Sequence, residues 1–594
     1  MKLFKKKSGH TEKTSQRILD SVNEFGEKAS QHFSERFVAR LKNVAEVRLW
    51  VAEWALLVLL VFLLAIVQQI WYNESFETEA YTRGGEYSEA TLGRVNSMNP
   101  LYATTSSEKV LAKLLFANLV APDVSGHLKN ELAKSVTADD KGKNWTLKLR
   151  EGLTWSDGEP ITADDVIYTI KLINDSSAKT TVSVDFSSVG IEKVDDLTVK
   201  FALPSVYTDF VDSLEFPLVP EHILGQVSPA LVYENNFSKN PIGSGPFVLN
   251  AVQSTQTSSD LQTIYLNRNE KYFKPTTKLN NFTLKTYESS EKIVEAMRNS
   301  EVMATAELSE EETQGLPGDI NRRNSLINGG AFAFLNTQND ILKNVKVRQA
   351  IAMGVDMEAV RADIEAAKLL DYPILENQLE LEWPELHAHD EAAARKMLQD
   401  AGYVYEGEKL FTKEGEEVPI NLVVRKRSSE LVKVAQKFAE QLEVLGFAVN
   451  LNIYDESQNT SDFFSTVVRQ RDYDILFYEV DLGVSADPFV YYSSTQATDS
   501  GWNFSNYSNA MVDAALLTAR STTNLSLRNV KLESFLKYWV NDVPAIGLYR
   551  SSIIYSFSRN TLIYSEDAQL TDALDRFSEV QYWASARKHV NLTP

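Results

Sequence analysis

The chain offers few residues whose types and spacing could support catalysis. It has no HExxH, GxSxG or P-loop sequence, and Gly243-Ser244-Gly245 lacks the spacing of a nucleophile elbow. The absence of cysteine excludes disulfides, thiolate catalysis, cysteine-ligated zinc and lipid attachment through an N-terminal cysteine. His387 and His389 lie beside Asp390 and could hold a metal weakly, but such a pair is more often part of a solvated loop. We therefore predict a protein that is not an enzyme, with no catalytic residue, no metal and no cofactor.

Aromatic residues flank polar loop residues in one C-terminal stretch. These are Tyr491, Tyr492, Trp502 and Phe504. Aromatic side chains in such a setting can line a ligand cleft. They can equally be core residues beneath loops, and the sequence leaves both interpretations open.

A single apolar stretch near the N-terminus is long enough to cross a membrane. It covers residues 49–72, is unbroken from Ala55 to Val67, and has Trp50 and Trp71 near its two ends. The alternatives are a cleaved signal peptide, disfavoured by the long preceding segment and the lack of a cleavage site, and a buried core helix. We predict a retained transmembrane anchor.

The charge distribution predicts the orientation of this anchor. Basic residues dominate the segment before it, which places the N-terminus in the cytoplasm and the body outside, either extracellular or periplasmic. The tail, residues 1–48, contains an amphipathic helical pattern that could lie on the inner membrane surface or pair with a partner helix. The net charge of −21 argues against nucleic-acid binding, because phosphate contacts need a basic surface.

The body alternates strand-like and helical patterns, which predicts an α/β fold. Its length exceeds what one hydrophobic core serves, so we expect two lobes joined by crossing strands. Residues 73–83 are polar and predict a linker. A strand is expected over Ala331–Leu335 and a helix over Met357–Leu369. Thr162, three residues before Asp165, predicts a capped start to a further helix.

Several motifs occur in a fixed order along the body. Glycine and proline in the segment Asn240–Phe247 predict a rigid turn before a strand, with glycine supplying positive φ. Together the motifs resemble the family 5 extracellular solute-binding proteins, the oligopeptide and dipeptide receptors of ABC importers. The motifs that carry the resemblance are Gly84–Tyr87, Met98–Leu101, Trp145–Val166, Asn240–Phe247, Asn336–Thr337, Val347–Asp356, Asp390–Tyr403, Tyr473–Ile475, Asp487–Pro488, Asn503–Tyr507 and Pro544–Tyr549.

The resemblance implies a two-lobed periplasmic-binding-protein-like fold of the large, peptide-binding type. Lobe one would comprise residues 84–326, rejoined by 548–594, and lobe two residues 327–547. In this family an acid of lobe two commonly pairs with the α-amino group of the peptide. Asp487 is similar to that acid, with Asp481 as the fallback and helix capping by Asp487 as the alternative. The predicted ligand-binding residues are Asp487, Tyr491, Trp502, Asn503 and Asp481.

The function implied is the capture of short peptides by hinge closure for an ABC importer, whose permease and ATPase subunits would be the partners. The alternatives are the same fold binding an oligosaccharide, or acting as a ligand sensor without transport. An extracellular hydrolase is the third hypothesis, and no catalytic constellation supports it. The anchor would hold the receptor beside its permease and so raise the effective concentration.

Overall fold

The computed structural model describes residues 48–182, 184–254, 260–426, 429–454 and 463–591. Contacts divide the chain into a small unit, residues 1–80 with 587–594, and a large unit, residues 81–586. The amphipathic tail predicted for residues 1–48 lies outside the described residues apart from Arg48.

The small unit contains the apolar stretch as one long helix, α1, Arg48–Phe76. Within the described residues it is the one helix that is long and apolar enough to span a bilayer. The candidate span covers Arg48–Trp71, and none of it is buried inside the protein. Strand β1, Glu77–Tyr81, follows directly and pairs with β20, Arg587–Asn591. The predicted linker is therefore regular in secondary structure, because the C-terminal end of the chain supplies a partner for its backbone groups.

The large unit contains the remaining described elements. Its helices α2–α13 are, in order, Ser106–Leu115, Ala163–Asn174, Glu221–Leu224, Ser290–Arg298, Glu310–Thr313, Val345–Gly354, Met357–Val360, Glu391–Asp400, Ser429–Val444, Phe489–Tyr492, Ala510–Ser521 and Leu525–Asp542. Its strands β2–β19 are Glu86–Leu92, Val120–Pro122, Leu128–Asn130, Ala133–Ala138, Asn144–Leu149, Gly190–Asp195, Thr198–Ala202, Phe247–Ser254, Asp260–Arg268, Asn281–Tyr287, Ala304–Thr305, Ile320–Leu335, Val404–Glu406, Lys409–Phe411, Pro419–Arg425, Ala448–Tyr454, Ile475–Asp481 and Ala545–Ser558.

Ten of these strands form one sheet in the order β17-β16-β18-β13-β19-β12-β2-β11-β10-β9. Strands β2 and β11 pair in parallel, as do β16 and β17, whereas β13 runs antiparallel to both β18 and β19. A separate antiparallel sheet has the order β5-β6-β8-β7. The alternation of helices with a mixed sheet confirms the predicted α/β class.

Buried hydrophobic side chains divide the large unit into two lobes. The core of lobe one draws on residues 87–304 and 553–583, and that of lobe two on residues 331–549. Lobe two has apolar clusters on both faces of its sheet. Along β13, Ala331, Ala333 and Leu335 enter one cluster while Phe332 and Phe334 enter the other, because successive strand residues point to opposite faces.

Two long strands run through both lobes. Strand β13 pairs with β19 from Ile320 to Leu326 in lobe one and from Gly330 to Phe334 in lobe two, with an irregular register between. The sequence predicts only Ala331–Leu335 of β13, because the preceding residues are polar and show no alternation. Their strand conformation depends on the distant partner β19. The expectation of two lobes joined by crossing strands is confirmed.

Two local expectations are corrected. The helix predicted over Met357–Leu369 ends at Val360. Val360 and Ile364 enter one apolar cluster of lobe two, whereas Leu370, just beyond the predicted helix, enters the other, so the chain must turn between them. The Asn240–Phe247 segment does lead into β9, but its glycines do not have positive φ. Gly243 and Gly245 are required instead by close approach, since a Cβ on either would collide with the backbone at Leu115.

Candidate functional site

A cavity of about 340 Å³ lies where residues of lobe one meet the segment that follows β18 in lobe two. Lobe one contributes residues from α2, from the 215–217 segment and from the 571–575 segment, while lobe two contributes Asp481, Gly483 and Val484. The charged residues lining the cavity are Lys109, Lys113, Glu215, Asp481, Asp572 and Asp575. Even when Glu215 is protonated, three acids outnumber the two lysines, so the cavity has a net negative charge, which favours a ligand with a positive group.

Helix α2 positions the two lysines. It begins at a capping box, in which the Thr105 side chain accepts the Glu108 N–H and the Glu108 carboxylate accepts the Thr105 N–H. Lys109 and Lys113 are four residues apart and so lie on the same face of the helix. The Lys113 Nζ lies 3.1 Å from Asp575 Oδ1. Burial alone would lower the pKa of Lys113, but the acids around it, Asp575 above all, raise the pKa, so this lysine is charged.

A second capping box positions two further acids of lobe one, Asp572 and Asp575. Asp572 caps the short helical turn Ala573–Phe577, and the Asp575 carboxylate accepts backbone N–H groups of Thr571 and Asp572 at 3.2 and 3.0 Å. Asp575 is therefore fixed by its own backbone and by Lys113. Asp572 is exposed at the cavity, where it adds negative charge.

Asp481 is the acid that lobe two contributes to the cavity. It ends β18, and the turn after it is set by Gly483, which has a φ of +67° and donates its N–H to Asp481 Oδ1 at 2.7 Å. The side chain opens into the cavity, yet the surrounding protein removes enough of its hydration to raise the pKa of Asp481 to about 6, with Asp572 and Asp575 adding to the effect. Tyr491 donates its hydroxyl to the Asp481 carbonyl at 2.5 Å and so supports this turn.

Glu215 is the most strongly perturbed acid of the cavity wall. Burial raises the pKa of Glu215 to about 8, against the attraction of Lys113 and with repulsion from Asp575. At neutral pH this group is therefore largely protonated, and it can act as a hydrogen-bond donor to a ligand.

Asp487 does not line this cavity. Its carboxylate accepts a hydrogen bond from Arg520 Nε at 2.8 Å and from the Phe489 N–H, at the first residue of α11, at 3.3 Å, so it pairs with a cation of its own chain. Of the two predicted acids, Asp481 lines the cavity, whereas Asp487 pairs with Arg520. The sequence motif instead favours Asp487 over Asp481 as the ligand-binding acid, because it cannot show that Asp487 forms an ion pair with Arg520.

The aromatic and amide residues predicted for the site are placed differently from one another. Trp502 is 38% exposed and packs against Phe464 and Phe504, and it does not line the cavity. Asn503 is fully buried, and its side-chain amide donates to the Ser493 and Tyr507 carbonyls at 3.0 and 2.8 Å. Both of its donors are thus used within lobe two. Tyr492 and Phe504 are core residues.

Sequence reasoning missed the lobe-one residues of the cavity, namely Lys113, Glu215 and Asp575. The Asp572–Asp575 spacing is typical of a capping box and was the one available signal, but a cap does not indicate a ligand site. Glu215 and Lys113 become neighbours only through tertiary structure. His387 lies against the Val540 carbonyl, 3.0 Å from its Nε2, which uses one of the nitrogens considered for metal binding.

Comparison with known proteins places this chain in a wider group. Residues 127–502 match the family described as bacterial extracellular solute-binding proteins, family 5. The chain is 25% identical over 516 residues to the oligopeptide-binding protein AppA of Bacillus subtilis, covering 83% of this chain and 92% of that one. It is 24% identical over 512 residues to the glutathione-binding protein GsiB of Pectobacterium atrosepticum, covering 80% and 92%.

Solved structures show the same fold. AppA of Bacillus subtilis in complex with a nonapeptide matches with a TM-score of 0.67 and 22% identity, covering 85% of this chain and all of that one. NikZ of Campylobacter jejuni in complex with Ni(L-His) matches with a TM-score of 0.69 and 20% identity, covering 84% and 99%. Since the family match covers more than half of the sequence, this chain belongs to the bacterial extracellular solute-binding proteins of family 5.

Proposed function

We propose that this protein captures short peptides outside the cell and delivers them to an ABC importer, without altering them chemically. The supporting observation is the cavity between the lobes, with Asp481 on one side and lobe-one charges on the other. A net negative cavity suits the ammonium group that every free peptide carries. The curated relative AppA, which is an oligopeptide-binding protein, supports peptides as the ligand class.

Asp481 is the residue proposed to receive the α-amino group. One of its carboxylate oxygens accepts the Gly483 N–H, and within the part of the chain that the structure describes the other accepts no hydrogen bond. An ammonium can donate to that oxygen, and a charge-assisted hydrogen bond is strengthened where water is partly excluded. Tyr491 would contribute by holding the Asp481 backbone rather than by touching the ligand.

The proposed cellular arrangement has the body outside the membrane, held by α1, with lobe boundaries near residues 326 and 548. Permease and ATPase subunits would supply transport, since this chain has no P-loop. The anchor is supported by the length and apolar composition of Arg48–Trp71. If α1 is the anchor, the full chain will sediment with membranes, whereas a variant beginning at residue 77 will be recovered in the soluble fraction. Recovery of the full chain in the soluble fraction would contradict the anchor.

The ligand class is tested with a mixed library of di- to nonapeptides on the purified protein, by thermal shift and then calorimetry. We expect stabilisation by peptides with free N-termini and weaker stabilisation by the same peptides after N-acetylation. Parallel screening of oligosaccharides covers the alternative ligand class, and assay of the peptides after incubation covers hydrolysis. Stabilisation by glycans alone, or conversion of the peptides, would refute the proposal.

A sensing role is separated from transport by uptake. Cells that lack the gene for this chain should lose uptake of the peptides that bind the purified protein. Expression of the full chain should restore that uptake. If uptake is unchanged by the deletion while binding is tight, the sensor alternative replaces import.

A further inference from the structure

A second set of contacts joins the two lobes outside the cavity. The Asp209 carboxylate, from lobe one, accepts two hydrogen bonds from Arg528 of lobe two, at 3.1 Å from Nη1 and 2.8 Å from Nη2. The two side chains are only 11% and 12% exposed. Each is tied to the core of its own lobe, since Phe210 follows Asp209 into the core of lobe one and Leu532 lies one turn beyond Arg528 in the core of lobe two.

Arg520 of lobe two also contacts lobe one. Its backbone carbonyl, near the end of α12, accepts hydrogen bonds from the N–H and the hydroxyl of Thr208, both at 3.1 Å. Its guanidinium lies 4.7 Å from the ring centroid of Tyr207 in lobe one and 4.2 Å from that of Phe489 in lobe two. The guanidinium is held in this position by Asp487, whose Oδ2 accepts from Nε at 2.8 Å.

We propose that residues 207–209 of lobe one, together with Arg520 and Arg528 of lobe two, form an inter-lobe latch that stabilises the closed form independently of ligand. None of these residues lines the cavity, so the latch can form whether or not a peptide is bound. The latch also gives Asp487 a role, because this acid positions the arginine that bridges the lobes. The inference rests on the two-lobed fold and not on the identity of the ligand.

The geometry explains why the latch depends on the conformation. A two-point arginine–carboxylate contact is directional, so it is lost when the lobes move apart by more than a hydrogen-bond length. In the closed form the pair is largely removed from water. Removing one partner there leaves the other charge buried and unpaired, which is more costly than removing both. Opening hydrates both groups and removes that cost.

The test measures the distance between the lobes in the full chain, held in detergent or nanodiscs and freed of co-purified ligand. Because the chain has no cysteine, Lys171→Cys and Glu440→Cys introduce the only two spin-label sites, one exposed on α3 of lobe one and one on α10 of lobe two. Pulsed electron spin resonance then gives the populations of short and long distances. We expect a dominant short distance without added peptide.

Asp209→Ala and Arg528→Ala should each lower the ratio of closed to open molecules by about 10-fold or more, as expected when a buried charge loses its partner. The two changes combined should lower it by less than the product of the single effects. Unchanged distances in both single variants, or strictly multiplicative effects, would overturn the latch. Asp209→Asn, which keeps the side-chain shape, is the second variant if Asp209→Ala does not fold.

A control breaks a more exposed ion pair inside one lobe. Lys437 lies 2.7 Å from Asp363, both in lobe two, and Asp363→Ala should leave the distances unchanged. An equal shift in this control would show that any lost ion pair loosens the protein, and would overturn the specific role of the latch. Because no ligand is added, the outcome of these measurements does not depend on whether the protein captures peptides.

Discussion

Replacing Asp481 by Asn is the sharpest perturbation of the proposed site. The substitution keeps the size of the side chain and an oxygen that can accept the Gly483 N–H, so the turn after β18 should be preserved. It removes the negative charge that lobe two contributes to the cavity. Any loss of affinity should therefore report on the electrostatic contact with the ligand and not on folding.

The magnitude follows from the kind of hydrogen bond that is lost. A hydrogen bond to a charged group contributes about 1.5–3 kcal/mol, which corresponds to a rise in Kd of roughly 10- to 150-fold. An N-acetylated peptide has no ammonium, so its already weaker binding should change little in Asp481→Asn. The difference between the two peptides isolates the contact between the carboxylate and the α-amino group.

The pH dependence gives an independent check. Burial raises the pKa of Asp481 to about 6, so below that pH the carboxylate must first lose a proton to bind an ammonium. Wild-type affinity for a free-amine peptide should fall as the pH drops below about 6, and again above about 8, where the peptide amine loses its own proton. The acidic decline should be absent in Asp481→Asn.

The assay is isothermal titration calorimetry from pH 4.5 to 9 with matched free and acetylated peptides. Asp499→Asn, an exposed acid of lobe two that does not line the cavity, serves as the control and should bind as the wild type does. The reasoning is refuted if Asp481→Asn weakens both peptides equally, or if its acidic decline in affinity persists.

Three further substitutions test other features of the structure. Burial raises the pKa of Glu215 to about 8 from an ordinary value near 4.5, so the folded state holds the extra proton and stability should fall as the pH rises through this window; Glu215→Gln should remove that fall in urea unfolding. A Cβ on Gly245 would lie 2.6 Å from a backbone carbonyl carbon of α2, so Gly245→Ala should cost about 1–3 kcal/mol of unfolding free energy. Arg576→Met should cost about 3–5 kcal/mol, because it leaves the fully buried Glu89 without its cation.

Each of these has its own control, read from the same urea unfolding curves. A pH-independent difference between wild type and Glu215→Gln would contradict the raised pKa. Gly318→Ala adds a methyl group with no neighbour within 4 Å and should be close to neutral, so a loss as large as that of Gly245→Ala would contradict the steric argument. Adding Glu89→Gln to Arg576→Met should recover part of the lost stability, and no recovery would contradict the unpaired-charge argument.

The sequence by itself determined the features that depend on neighbours along the chain. The run of apolar residues fixed α1, and Thr162 with Asp165 formed the expected capping box, with the Thr162 N–H donated to Asp165 at 2.8 Å. The ordered motifs determined the family. These signals are local because a helix or a cap satisfies its hydrogen bonds within a few residues.

Only the tertiary structure decided which acid lies at the cavity and where the lobes touch. Asp481 and Asp487 are only six residues apart in the sequence. They are distinguished by Arg520, which pairs with Asp487, and by Asp572 and Asp575, which act on Asp481. The polar first half of β13 becomes a strand because β19, more than two hundred residues later, pairs with it. Charge pairing and strand pairing act through space, so no local pattern in the sequence specifies the partner.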